Sequence, residues 1–314
     1  MADYITIDGG TTNTRISLVR NNTVTAMKKY NIGARIGIDD RTILTQTLKK
    51  GISEILTENS LCENEITAVL ASGMITSEFG LFPLEHITAP AGIKELHKSM
   101  EKVALADITQ IPFYFVRGVK LLSPQLEKTD MMRGEETELV GIMQKDEGEC
   151  VYILPGSHSK IIFTDNKGSI IDFSTMLTGE MLHSLSQHTI LKDAVNFGNA
   201  ALNEQYLLKG YDYCKKNTIN EALFKVRVLK NVFKCSPDET YSFFMGIAFC
   251  GEVEKILCSN PRKIIIGGKS ELKEALGIIL RKNSTAQIVC IDDKKVQISA
   301  TMGMIKVYEY NEKI

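Results

Sequence analysis

An excess of charge of either sign is missing from this chain: 37 Lys and Arg stand against 38 Asp and Glu, a formal net charge of −1. With no basic run either, nothing in the electrostatics argues for nucleic acid or an anionic membrane as partner. Paired cysteine spacing is missing too. The seven cysteines, at 62, 150, 214, 235, 250, 258 and 290, are odd in number and contain no CxxC. The five histidines, at 86, 97, 158, 183 and 188, add no metal-ligand pattern. Free thiols in a reducing compartment are the simplest account. Apolar runs such as 241–250 are too short and too interrupted to cross a bilayer. The chain enters a strand directly after Met1-Ala2-Asp3, which does not read as a signal peptide, so a cytoplasmic location is expected.

What is present is the composition of an ordinary globular protein, 44% hydrophobic and 24% charged, in 314 residues. That length fits two domains or one large α/β unit. The most informative stretch is ITIDGGTTNTRISLV (5–19): an apolar strand ends in an acid, passes through a Gly/Thr/Asn turn and returns as a second apolar strand. Two glycines let the main chain approach a ligand. Successive N–H groups, with Thr and Asn side chains, offer donors to phosphate oxygens. Asp8 at the strand end suits a hard cation such as Mg²⁺. An ordinary hairpin with a polar turn fits these residues equally well.

Three strands are expected at 4–8, 15–20 and 23–30, a helix over 39–58, and strands at 66–70 and 111–116. Gly118, Pro124 and a run of charges break the pattern over 117–131, which places a domain boundary there: 1–117 and 118–314, with the C-terminal helix free to pack back across it. The second half starts over. CVYIL (150–154) is a strand, PGSHS (155–159) a turn, KIIFT (160–164) a return strand, and 169–173 a third. Helical spacing follows over 178–191 and 193–208. A helix over 237–257 opens with Ser236 as N-cap, Pro237 and Glu239. A strand KIII (263–266) ends in Gly267-Gly268 before a helix over 271–281; a strand over 287–291 and a helix over 298–308 close the chain. Alternating strands and helices after a meander indicate α/β domains with mixed sheets.

Gly268-Lys269-Ser270 suggests a P-loop, but the glycine that motif requires is replaced by Lys263. The strand-end Gly-Gly turn can let a planar base lie on the backbone, or simply open a helix. Ser157, His158 and Ser159 are neighbours in one turn with no GxSxG elbow, which argues against a Ser-His hydrolase. MRGEETELVG (132–141) opens a helix with acids. Acids there favour the positive end of the helix dipole; alternatively one of them faces a cleft and takes a proton from a hydroxyl. Arg133 beside them can grip an anion bidentately. Glu180, after TMLTG (175–179), is either a first-turn acid or a cleft residue.

The motifs IDGGTTNTR (7–15), ASGMITSEFG (71–80), MRGEETELVG (132–141), LPGSHSK (154–160), TMLTGE (175–180) and GGKS (267–270) occur in an order that resembles the 2-dehydro-3-deoxygalactonokinase family of bacterial sugar-acid kinases. That family is similar to the sugar kinase, heat-shock protein 70 and actin superfamily. The resemblance implies two ribonuclease-H-like (actin-like ATPase) domains with ATP between them. It implies a first phosphate loop at Gly9, Gly10, Thr11, Thr12 and Asn13 with Asp8 near Mg²⁺. A second phosphate loop is implied at Gly156, Ser157, His158, Ser159 and Lys160, and an adenosine turn at Gly267, Gly268, Lys269 and Ser270. In related kinases a Gly-Asp pair about twenty residues before the second loop supplies the base. Gly134-Glu135 holds that place here, with Glu136 as the alternative. Arg133, Arg15 and Glu180 are implied on the substrate side. The implied reaction is transfer of the ATP γ-phosphoryl group to the C6 hydroxyl of 2-dehydro-3-deoxy-D-galactonate in galactonate catabolism. A non-catalytic nucleotide-gated sensor and a phosphoanhydride hydrolase are the alternatives, and a homodimer is compatible with the sequence.

Overall fold

The apolar alternation at the start of the chain becomes an antiparallel meander of β1 (Tyr4–Gly9), β2 (Thr14–Arg20) and β3 (Thr23–Tyr30). Its second turn closes on Asn21 and Asn22, both at positive φ, 50° and 58°. Such values suit a two-residue hairpin that follows the strand twist, and Asn tolerates them. The computed structural model describes the whole chain apart from residues 1, 39, 146, 197, 199, 269 and 312–314.

After the meander come α1 (Arg41–Glu58), β4 (Ala68–Gly73), β5 (Ile87–Thr88), α2 (Ile93–Lys98), β6 (Glu101–Val103), β7 (Phe113–Phe115), β8 (Val119–Leu121), β9 (Asp130–Met132) and α3 (Glu135–Ile142). Asp40 caps α1 by accepting the Thr42 N–H at 2.8 Å. Leu44, Leu48, Ile52 and Ile55 of α1 are buried against Ile5, Ile7, Ile16 and Leu18 of the sheet. Each such side chain contributes about 1.5–3 kcal/mol by leaving water. The sheet order is β3-β2-β1-β4-β7-β6, with β1, β4 and β7 parallel. A small sheet, β5-β8-β9, lies beside it in the chain.

The second half repeats the plan. β10 (Cys150–Leu154), β11 (Ser159–Thr164) and β12 (Ile170–Met176) lead into α4 (Thr178–His188), α5 (Glu204–Lys216), α6 (Ile219–Asn231), α7 (Pro237–Cys258), β13 (Lys263–Ile266), α8 (Ser270–Asn283), β14 (Gln287–Cys290) and α9 (Asp293–Tyr308). Here the order is β12-β11-β10-β13-β14, with β10, β13 and β14 parallel. In both sheets the first strand of a meander is central and pairs in parallel with the strand after a helix. This is the ribonuclease-H-like topology, present twice. The weak internal repetition in the sequence is therefore a repeat of topology.

The chain divides into two compact units, Met1–Gly148 with Asp165–Asp172 and Lys294–Ile314, and Glu149–Thr164 with Phe173–Asp293. The expected boundary at 117 and 118 thus moves to about Gly148. The charged, Gly- and Pro-marked stretch carries β8 and β9 of the small sheet, and α3 belongs to the first unit. Gly141 and Gly303 explain that packing. A Cβ at Gly141 would sit 1.9 Å from the Ser299 carbonyl oxygen, and one at Gly303 1.8 Å from that of Thr137. Lys306 donates to the carbonyls of Val140 and Met143 at 3.0 and 3.1 Å, capping the C-terminal end of α3.

The helix expected over 193–208 is a second correction. Helix α5 begins only at Glu204, because Asn203 accepts the Tyr206 N–H at 3.1 Å and fixes the start there. All seven cysteines are free. Among the described residues no helix is long and apolar enough to cross a membrane.

Candidate active site

Each unit sets its glycine turns at the carboxyl ends of parallel strands, where ligands bind in open α/β sheets. In the first unit β1 and β4 run in register, Asp8 beside Ser72 and Gly9 beside Gly73. The turn after β1 closes with Gly10 N–H donating to Asn13 O at 2.8 Å. The segment after β3 supports it from behind: Ala34 N–H donates to Gly10 O and Arg35 N–H to Thr11 O, both at 3.0 Å. Thr11 and Thr12 are left exposed, and the Thr12 hydroxyl accepts from Asn13 Nδ2 at 3.3 Å.

Three glycines then stack. A Cβ on Gly73 (φ 84°) would lie 2.5 Å from Gly9 O, and one on Gly134 (φ 112°) 3.2 Å from Gly73 Cα. Both residues occupy the left-handed region that glycine alone takes without strain. The Ser72 and Thr137 hydroxyls meet at 3.1 Å. Three motifs separated by some sixty residues each are thereby held backbone to backbone, with the acidic start of α3 beside the first turn.

The two acids at that start differ. Glu136 is wholly buried, and both its carboxyl oxygens accept the Gly134 N–H, at 2.9 and 2.8 Å. Burial, and next the charge of Glu135, push its pKa up from 4.5 to about 8. Glu135 is half-buried and accepts the Arg133 N–H at 3.0 Å. Glu135 is therefore the less buried of the two acids.

The raised value has a consequence for stability. A folded-state pKa above the unfolded one means that the folded chain holds the proton longer. The stabilisation is complete below pH 4.5 and disappears as pH rises toward about 8. Glu136→Gln, which is neutral at every pH, should therefore gain on wild type by a few kcal/mol between about pH 5 and pH 8. Thermal melts of both proteins across that range check it; parallel curves would refute it.

Asp8 and Arg15 form a cross-strand ion pair at 2.7 Å, and Arg15 also donates to Gln297 O at 3.3 Å. Arg133, expected to hold a substrate carboxylate, is used otherwise. Its Nη1 donates to Thr76 O and Oγ1 at 2.7 and 2.6 Å, and its Nη2 to Leu84 O at 2.9 Å and His86 Nδ1 at 3.2 Å. Four of five N–H groups are thus taken by the 76–86 loop, and a bidentate grip on an anion would break them. Burial, then the Arg133 charge, lower the His86 pKa to about 4, so its neutral ring can accept that bond. Thr76 lies in the ASGMITSEFG motif but had no role read from it, and Leu84 and His86 carried no motif, so spacing alone had no means of finding this contact.

In the second unit the 155–159 turn is bonded to the start of α4. Gly179 N–H donates to Gly156 O and Glu180 N–H to Ser157 O, both at 3.1 Å. Glu180 Oε2 accepts from His158 Nε2 at 2.9 Å, with both side chains about half exposed. Ser157 and His158 are exposed, whereas Ser159 and Lys160 are buried. The Ser159 hydroxyl faces inward, accepting the Gly156 N–H at 3.3 Å, so it is not a side chain offered to phosphate. Gly267 N–H donates to Ile153 O at 2.8 Å. Gly268 (φ 70°) would place a Cβ 2.4 Å from Pro155 O, so the two turns touch. Ser270 donates to Asp293 at 2.6 Å; Lys273, buried, reaches Asp293 and donates to Ile291 O at 2.5 Å. Lys269 lies outside the described residues. Among those described, no group of three His, Cys, Asp or Glu is placed to hold a metal.

The family model of 2-keto-3-deoxy-galactonokinase matches residues 8–302. The chain belongs to that family. It is 28% identical over 191 residues to the 2-dehydro-3-deoxygalactonokinase of Escherichia coli (strain K12), covering 60% of this chain. A counterpart from Rhizobium meliloti (strain 1021) is 27% identical over 202 residues, 61% of this chain. The chain spans 59% of the length of each of these two curated relatives. A crystal structure of a candidate 2-dehydro-3-deoxygalactonokinase from Sinorhizobium meliloti shares the fold, with TM-score 0.79, 19% identity and 97% coverage of both chains.

Proposed function

We propose that this member of the 2-keto-3-deoxy-galactonokinase family is an ATP-dependent kinase that phosphorylates the C6 hydroxyl of 2-dehydro-3-deoxy-D-galactonate, in galactonate catabolism. The observation that supports the reading is the Gly9–Gly73–Gly134 stack, which brings the start of α3, where the half-buried Glu135 stands, against the strand ends that lead into the 9–13 turn. Glu135 orients the sugar hydroxyl and takes its proton as the phosphoryl group is transferred. The turns at 9–13 and 156–158 supply donors for the ATP phosphates, and Gly267-Gly268, with Lys269 and Ser270, takes the adenosine. Mg²⁺ held at Asp8 would supply charge neutralisation on the phosphates. Arg133 braces the 76–86 loop that flanks Glu135, and Glu180 orients His158. Arg15, already paired with Asp8, is the cation available to the sugar-acid carboxylate.

A coupled ADP-release assay over a panel of 2-keto-3-deoxy acids tests this. Expected is ADP release with Mg²⁺ and ATP only when a sugar acid is present, fastest with the galacto epimer. ATP binding without sugar-dependent release would indicate a nucleotide-gated sensor. Phosphate release without sugar would indicate a hydrolase of phosphoanhydrides.

A further inference from the structure

Under the second turn lies a carboxyl group that the proposed chemistry does not use. Glu252, in the C-terminal half of α7, is 1% exposed. Its Oε1 accepts a hydrogen bond from the Thr178 hydroxyl at the start of α4. The Ser159 hydroxyl, at the start of β11, lies close enough to the same carboxyl to favour its ionised form, while Ser159 Oγ accepts the Gly156 N–H. Glu252 Oε2 has no hydrogen-bond partner. One acid thus joins a strand, a turn and a helix start that lie about 75–95 residues away in sequence. Burying a carboxyl with an unpaired oxygen is costly, and an apolar side chain of similar volume would avoid that cost. Packing therefore does not explain an acid here.

What the acid joins does explain it. Thr178 opens the helix whose next two N–H groups, of Gly179 and Glu180, hold Gly156 O and Ser157 O. A Cβ on Gly179 would fall 2.2 Å from Gly156 O, so turn and helix are already in backbone contact. Glu252 reaches both sides of that contact from beneath.

We propose that Glu252 is a positioning residue that locks the 155–159 turn onto the start of α4, so that Gly156, Ser157 and His158 present a fixed anion-binding surface. The anion-binding part rests on reading that turn as an ATP phosphate loop; the lock does not. Burial raises the Glu252 pKa to about 7, which makes glutamine a close mimic of its neutral form.

The test uses the full chain as wild type, Glu252→Gln, Glu252→Leu, and the pair Ser159→Ala with Thr178→Val. Hydrogen exchange of residues 155–159 and 178–181 is followed, with calorimetric titration of ATP in Mg²⁺ and thermal melts. Expected for Glu252→Leu is an unchanged or higher melting temperature, with loop exchange and the ATP dissociation constant each raised at least about tenfold. The Ser159→Ala, Thr178→Val pair should reproduce the loosened loop, and Glu252→Gln should stay within about threefold of wild type in both readouts. A packing role would lower stability and leave the loop no looser than the rest of the unit. Loop exchange as slow in Glu252→Leu and in the double variant as in wild type overturns the lock. Faster exchange with undiminished ATP affinity overturns its role in binding. A wild type that fails to bind ATP sinks the nucleotide reading instead, and the exchange data then judge the lock alone.

Discussion

Glu135→Gln lowers turnover at saturating ATP and sugar acid by about 10²–10⁴-fold while the ATP dissociation constant changes by less than about threefold. Glutamine keeps the volume of the side chain and an acceptor for the Arg133 N–H, now at 3.0 Å, so α3 starts in the same way. Only basicity is lost. Because the chemistry needs an ionised carboxylate, the defect should appear in turnover and not in nucleotide affinity. The measurement is steady-state kinetics paired with calorimetric binding. Activity within about threefold of wild type would remove Glu135 from the role. If the loss instead followed Glu136→Gln, the enclosed acid would be the base, and α3 would have to open for it to act.

The second large effect is on stability. Gly303→Ala places a methyl group 1.8 Å from Thr137 O and 2.7 Å from Thr137 C. Both atoms are backbone of a buried turn of α3, so no side-chain rotation relieves the overlap and the two helices must separate. A loss of roughly 2–4 kcal/mol is expected, or about 5–15 °C in melting temperature. Activity should fall as well, because α3 carries Glu135. Gly251→Ala is the control: that glycine is in α7, and a Cβ there meets nothing within 4 Å. It should be neutral, or stabilising by up to about 1 kcal/mol through helix propensity. Equal melting temperatures for the two variants would refute close helix contact at Gly303.

Much of the fold was legible because its signals are local. The meanders at 4–30 and 150–173 show strand alternation, and the capping box at Ser236 and Glu239 marked the start of α7. Where local signals were weak, expectation and structure part. Strands β8 and β9 fell in the stretch read as a domain boundary, since three-residue strands have no period to detect. Helical spacing over 193–203 was real as a pattern, but the Asn203 cap sets the start of α5 eleven residues later than expected.

At the site, the sequence by itself determined the chemistry on offer: glycines with hydroxyl and amide donors in two turns, and two adjacent acids opening a helix. Residue type fixes which groups can donate, accept or ionise, and a turn's backbone needs are met by its own few residues. The tertiary structure alone decided which of those groups face a ligand. It separated Glu135 from Glu136 by burial, committed Arg133 to the 76–86 loop, turned Ser159 inward, and set Glu252 beneath a turn more than ninety residues before it. Exposure and hydrogen-bond partners depend on contacts between segments far apart in the chain, and no spacing along one strand or helix records them.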